Sequence, residues 1–333
     1  MALRLIEMVV REKDSQQVRQ LLKEQPLLEH HEIKLPDGEV LVRILLDAEH
    51  SEAVLDLLEQ HYAGKRGCRV VVLPVEAILP RAEPEPEPAA APAPEEKPAE
   101  RISRQELYED ISNAARCTRV YLAMTVLSTI VATIGLNHNS VTIVIGAMVI
   151  APLLGPNVAL ALGTTLGDLP LLRRALVTGL AGIAAATVFS VIIGVLLNVN
   201  PALSEIASRT RVGLGDVVLA LASGCAGALA FTTGVSATLI GVMVAVALLP
   251  PLVTFGLLLG GGHPALAWGA LSLFLLNLIC LNLAGVATFL VQDIRPATWW
   301  EKERAARAAR IAIALWVGLL AALGVIILLL RGI

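Results

Sequence analysis

Beyond residue 118 the chain is a succession of apolar runs whose interiors carry no formal charge, at about 119–136, 140–166, 174–197, 217–234, 236–260, 268–291 and 311–330. Each is long enough to cross a hydrocarbon core of ~30 Å as a helix. Seven bilayer spans are therefore expected, with the lipid bilayer as the first partner. The opening "MALRLIEMVVREKDSQ" turns charged after its tenth residue and has no small-residue cleavage site, so a mature N-terminus is expected rather than a secretory leader. Cys68, Cys117, Cys225 and Cys280 are scattered, two of them inside apolar runs, which suggests neither a disulfide framework nor a metal site. A formal net charge of −3 points to no particular partner, and neither nucleic acid nor a cofactor is expected.

Residues 1–80 read as strand, helix, strand, strand, helix, strand. Val18, Leu21 and Leu22 follow a helix start at Ser15, and Val54, Leu57, Leu58 and His61 keep i, i+3, i+4, i+7 spacing after Ser51. "LPDGE" at 35–39 supplies a tight turn, and Val40, Val42, Ile44 and Leu46 alternate onto one face of the strand after it. This βαββαβ order predicts a ferredoxin-like α+β domain. Both helices then cover one sheet face, so Leu41 and Leu45 on the other should leave apolar surface for self-association or a ligand. His30 and His31 are adjacent on a strand, point to opposite faces and cannot share one metal ion. "RAEPEPEPAAAPAPEEKPAER", 81–101, predicts an extended linker of ~60 Å at ~3.1 Å per residue. "SRQE" at 103–106 has capping-box form and opens a juxtamembrane amphipathic helix over 102–118, with Leu107 and Ile111 on one face.

Arginines orient the spans. Arg101, Arg104, Arg116 and Arg119 precede the first span and Arg173 and Arg174 follow the second. Arg295, Lys302, Arg304, Arg307 and Arg310 separate the sixth from the seventh. All three groups fall on one side, which predicts a cytoplasmic N-terminus, a cytoplasmic segment over 294–310 and a final span over 311–333. "LNHNS", 198–216 and "GGGHPALAWG" fall outside, and in 198–216 Arg209 and Arg211 are balanced by Glu205 and Asp216.

Shifted by 95 residues, "IGAMVIAPLLGPNVALALG" at 145–163 aligns without gaps to "IGVMVAVALLPPLVTFGLL" at 240–258, and about nine of nineteen positions agree. The coincidence of Gly, Met and Pro in one register predicts an internal repeat, 119–197 against 217–293. Three spans per unit is an odd number, so the second unit is inverted. Inverted repeats with a Gly/Pro-interrupted apolar segment in corresponding places are a pattern of secondary transporters. Pro152 and Pro156 remove two backbone donors, so a break is expected there, facing protein or a watery cavity. Gly182, Ala186, Ser190 and Gly194 form a small-residue stripe, as do Ala220, Gly224, Ala228 and Thr232; both predict close helix packing.

"IGAMVIAPLLGP", followed by "LGD" at 166–168, the second copy "GVMVAVALLPP" and the N-terminal soluble domain resemble the bacterial membrane family catalogued as domain of unknown function 389. The resemblance covers about 100–293. It implies a membrane location and a transport role, and carries over no functional residue. The second copy has Ala247 and Pro250 where the first has Pro152 and Gly155, so the two breaks need not be equivalent.

"GLGD" at 213–216 has the form of an aspartyl-protease motif, but its only comparable acid, Asp168, is expected on the other side. No zinc-protease, hydrolase or phosphate-loop motif occurs, and no enzyme is expected. Few ionisable groups line the spans, which disfavours ordinary proton antiport. Asn157, Thr164, Thr165, Asn277, Asn282, Thr232, Thr233 and Ser236 are the candidate polar groups. For Asn277 and Asn282 an interhelical hydrogen bond is the leading reading.

The expectation is a multi-pass protein of the bacterial inner membrane, homo-oligomeric. It would translocate a small polar or anionic solute through a site at the broken second and fifth spans, regulated by the cytoplasmic domain. The site comprises Pro152, Gly155, Pro156 and Asn157 with Pro250 and Pro251. The alternative is a membrane-anchored sensor or scaffold without transport.

Overall fold

Two units divide the chain, one up to Leu107 and one from Tyr108 onward. The computed structural model describes residues 3–36, 38–62, 68–75, 78, 102–233, 237–294 and 299–331. The Pro-rich segment 81–101 and residues Ser236 and Arg295 lie outside the described residues.

In the first unit the order is β1 (Leu3–Arg11), α1 (Glu12–Leu22), β2 (Glu29–Lys34), β3 (Glu39–Asp47), α2 (Ala48–Tyr62) and β4 (Arg69–Val75). The strands form a small antiparallel sheet in the order β2-β3-β1-β4. Period-two alternation decides what is buried. Ile6, Met8 and Val10 of β1 and Val40, Val42, Ile44 and Leu46 of β3 meet Val18, Leu22, Val54, Leu55, Leu58 and Tyr62 of the helices in one core. Gly38, at φ +72°, turns the β2–β3 hairpin through a conformation that favours glycine.

Three expectations for this unit need correction. Ser15 and Ser51 do not start helices: α1 and α2 begin three residues earlier, and each hydroxyl donates back to the carbonyl of its helix's first residue, Glu12 or Ala48. Strand β1 runs straight into α1 with Arg11 between and no side-chain cap, so no serine is needed there. The buried stripe of α2 ends on Tyr62, whereas His61 is exposed and bonds Leu57 O. On the far sheet face Leu45 is buried and Leu41 half-buried, because β3 is flanked on both sides by β2 and β1; exposure falls on the edge residues Ile33, Val71 and Leu73. The Arg43–Glu7 ion pair lies between those apolar rows. On strand β2 His30 is half-buried and His31 exposed, as the alternation requires.

Helix α3 (Arg104–Ala114) is capped as its sequence predicts: the Glu106 N–H donates to Ser103 Oγ at 3.2 Å. Glu106 does not complete the box. Its carboxylate instead receives two 2.9 Å bonds from Arg4, a cation buried on β1. Such a bidentate pair satisfies a charge that would be costly to bury alone.

The second unit is helical: α4 (Arg119–Asn137), α5 (Val141–Ile150), α6 (Leu154–Leu166), α7 (Leu169–Leu196), α8 (Ser204–Ala207), a 3-10 turn (Ser208–Thr210), α9 (Leu214–Thr232), α10 (Ala237–Gly260), α11 (Pro264–Val291) and α12 (Trp299–Arg331). Among the described residues α4, α7, α9 and α11 are long and apolar enough to cross a membrane, and α5 with α6, bent at a short break, passes the same test only as a pair. The described apolar parts of α10 and α12 are Ala247–Gly260 and Ile313–Val325, so among the described residues four to five of the seven expected spans are supported. Helix α12 is continuous from its charged first turns into its apolar part.

Both small-residue stripes are buried as expected. On α7, a Cβ at Gly194 would meet Leu257 O of α10; on α9, one at Gly224 would meet Ala284 and Leu281 of α11. Short connections are fixed by their caps. Gly167 ends α6 in the left-handed region at φ +68°, and Asp168 starts α7 by accepting from the Leu171 N–H at 3.0 Å. Asp216 likewise accepts from the Gly213 N–H at 2.8 Å. The two acids singled out as a protease pair thus each hold a helix start.

Candidate functional site

Between α5 and α6 the chain bends by 53°. Proline sterics account for the position. The residue before a proline is driven out of the α region, and Ala151 is extended at φ −70°, ψ 119° immediately before Pro152. Helix α5 therefore ends at Ile150. Helix α6 restarts at Leu154 with Pro156 in its first turn, where a missing N–H costs nothing because no intrahelical acceptor awaits it. Pro156 is compatible with the helix that follows it; Pro152 makes the break.

The second copy bears this out by contrast. Pro251 occupies the place of Pro156 and Ala247 that of Pro152, and α10 runs unbroken through Pro250 and Pro251. The expected break in the fifth span is therefore absent. Within a helix Pro251 cannot donate to the Ala247 carbonyl. Asn277 of α11 takes over that role, its Nδ2 donating to Ala247 O at 2.6 Å, so the continuous helix keeps its acceptor satisfied.

Polar groups converge beside the first break. Asn157 Nδ2 donates to Leu153 O at 2.8 Å, one turn back, which leaves Asn157 Oδ1 to accept from Asn282 Nδ2 of α11 at 3.2 Å. Asn282 Nδ2 also donates to Leu278 O at 2.8 Å. These acceptors fix the orientation of both amides. Asn282 is wholly buried, and among the described residues its Oδ1 has no partner; the buried Thr254 Oγ1 on α10 has none among them either. An unsatisfied buried acceptor is costly, by about 1–3 kcal/mol, and calls for a purpose.

The remaining predicted positions make contacts of their own. Gly155 is buried against the end of α3, where a Cβ would overlap Ala114 O. That carbonyl therefore faces the N-terminal turn of α6. Thr164, Thr165, Thr232 and Thr233 donate to carbonyls three or four residues back in their own helices. Ser128 and Tyr121 were not anticipated. Ser128 Oγ donates to Ala147 O in α5 at 2.7 Å, and Tyr121 Oη donates to Thr178 O on α7 at 3.1 Å, over a surface that Gly182 leaves free. Tyr108 Oη donates to Asp168 Oδ2 at 2.6 Å. Burial, and then that bond, push the Tyr108 hydroxyl up to about 12.

A family profile described as "Domain of unknown function (DUF389)" matches residues 148–283. An uncharacterized protein of the archaeon Methanocaldococcus jannaschii is 38% identical over 287 residues, covering 86% of this chain and 87% of its own. The chain belongs to the DUF389 family. The expectation of a bacterial family is not supported by this relative, which is archaeal. The DUF389 match opens in the last turn of α5 and closes just after Asn282, so it takes in the break and both asparagine bonds. No solved structure matches the chain.

Proposed function

We propose that this DUF389 protein is a membrane transporter that moves a small polar solute past the break in its second span, beside Asn157 and Asn282. The unpartnered, wholly buried Asn282 Oδ1 carries the reading, because an acceptor there would be satisfied by a solute N–H or O–H during passage. Of the polar and anionic solutes expected, the polar class fits better. The N-terminal turn of α6, where an anion would be drawn, already faces the Ala114 carbonyl.

Two inverted three-span repeats are part of the proposal. Helices α4 and α7 coincide at both ends with α9 and α11 when displaced by 95 positions. A Cβ on Gly256 of α10 would meet Ser190 of α7, and one on Gly285 of α11 would meet Ala161 of α6; the displacement exchanges these two pairs. A swapped contact of this kind is what a two-fold relation between repeats produces.

A sidedness is part of the proposal, supported by the contacts between connections and by the arginine distribution. Asn139 Oδ1, after α4, accepts from Ser204 Oγ at 2.9 Å and from the Glu205 N–H at 3.0 Å, which ties the 138–140 connection to 198–213. Arg209 is neutralised there by Glu205 at 2.9 Å. We assign this end to the outside, the α6–α7 turn and the N-terminal ferredoxin-like domain to the cytoplasm, and that domain a regulatory role. In a cysteine-free background a membrane-impermeant thiol reagent should label His138→Cys in intact cells and miss Arg173→Cys. The reverse pattern would invert the topology.

The test of transport is stopped-flow swelling of proteoliposomes in small uncharged polar solutes and monovalent anions. Faster swelling than protein-free vesicles in at least one polar solute is expected. No acceleration in any of them would leave the sensor or scaffold role.

A further inference from the structure

We infer that the positive groove between the start of α4 and the first turns of α7 binds the phosphate of an anionic phospholipid. The groove has a volume of about 480 Å³ and is lined by Arg116, Arg173 and Arg174 together with Pro170 and Val177. None of the three guanidinium groups has a carboxylate within ion-pair distance among the described residues. Arg174 donates to Ser112 Oγ at 2.8 Å, which holds it in place without neutralising it. The nearby Asp168 is engaged by the Leu171 N–H and the Tyr108 hydroxyl. Three uncompensated cations on one concave surface make a site for a phosphate, which guanidinium groups bind in a forked geometry.

Position selects the lipid over free phosphate. Helix α7 has 28 residues, ~42 Å at 1.5 Å per residue, longer than the ~30 Å hydrocarbon core requires. Its first turns thus reach headgroup level, where basic pockets between spans hold anionic lipids. Val177 lines the groove and is 56% exposed, and Leu180 one turn on is 61% exposed, whereas Ala175 and Gly182 on the opposite side of the helix are buried. A ligand with its phosphate in the groove therefore has an apolar path for its acyl chains down the outer face of α7. This inference is independent of transport.

Native mass spectrometry of the full chain, loaded with phosphatidylglycerol or phosphatidylcholine, tests it. The wild type should retain phosphatidylglycerol over phosphatidylcholine. Arg116→Gln with Arg173→Gln should lower that retention by roughly tenfold or more, since each cation near the surface contributes appreciably to anionic-lipid binding. Lysine at both positions, which keeps the charge but loses the forked bonds, should retain more phosphatidylglycerol than glutamine and less than arginine, and Arg211→Gln, at the other end of the helices, should change nothing. Equal retention of the two lipids by the wild type, or unchanged phosphatidylglycerol retention in the glutamine variant, would overturn the assignment. Displacement of the lipid by millimolar inorganic phosphate would make free phosphate the ligand and likewise overturn it. If the glutamine variant is not monodisperse, the wild-type lipid preference and the lysine variant decide.

Discussion

Asn277→Leu is expected to destabilise the membrane unit by about 1–3 kcal/mol, and Pro251→Ala in the same chain to restore most of that loss. Pro251 leaves the Ala247 carbonyl without its helical donor, and Asn277 Nδ2 at 2.6 Å is the replacement. Ala247 is 4% exposed, so water cannot serve. Leucine has the heavy-atom number and branching of asparagine but donates nothing, and the carbonyl is then buried unsatisfied, the more costly side of a lost hydrogen bond. Alanine at 251 brings back a backbone N–H aimed at that carbonyl, which makes Asn277 dispensable. The two substitutions are therefore coupled, and a double-mutant cycle of unfolding in detergent should give an interaction of about 1–2 kcal/mol. Additive effects would mean that the Asn277 amide does not stand in for the missing donor of Pro251.

The same pair marks where sequence reasoning reached and where it stopped. A proline in an apolar run announces lost donors, and from that the break at Pro152 was legible. Whether a given proline breaks its helix depends on what faces the freed carbonyl. The partner of Ala247 lies 30 positions away on another helix, and no local pattern points to it. The contrast between copies held part of the answer: Pro156 and Pro251 are shared, Pro152 is not, and only the copy with Pro152 is broken. Small-residue stripes were legible for the same reason that spans were, since helical periodicity is a property of the chain itself. The Asn157–Asn282 bond spans 125 positions and exists only once α6 and α11 pack.

In the N-terminal unit, alternation on β3 predicted Val40, Val42, Ile44 and Leu46 as the buried face, because a strand offers each side chain one of two directions, whereas the burial of Leu45 on the other face was not legible from it. Helix starts were less legible. Serine serves as a cap or, one turn inside, bonds backwards to the chain, and Ser15 and Ser51 do the second while Ser103 does the first. What separates them is whether a strand enters the helix without pause, which is decided by the pairing of β1 with β3 and β4 rather than by the residues around the serine.

Flux is expected to fall at least tenfold, ~1.4 kcal/mol in barrier height, on Pro152→Ala and on Asn282→Leu, and to change little on Pro156→Ala. Alanine at 152 restores a donor and frees Ala151 to become helical, so α5 and α6 can join as the corresponding stretch of α10 does. Straightening a 53° bend would carry Asn157, on the first turns of α6, away from Asn282. Pro156 lies in a first helical turn, where its N–H has no duty, so its replacement should leave the bend in place. Asn282→Leu acts without moving the backbone: it removes the unpartnered Oδ1 and leaves Asn157 Oδ1 without its donor. Swelling rates in proteoliposomes, normalised to monodisperse protein, separate these from loss of fold. If Pro152→Ala transports at the wild-type rate while the protein stays folded, the break is a packing feature and solute does not pass there. If Pro156→Ala proves as damaging as Pro152→Ala, the bend depends on both prolines and the steric account given by Ala151 is insufficient.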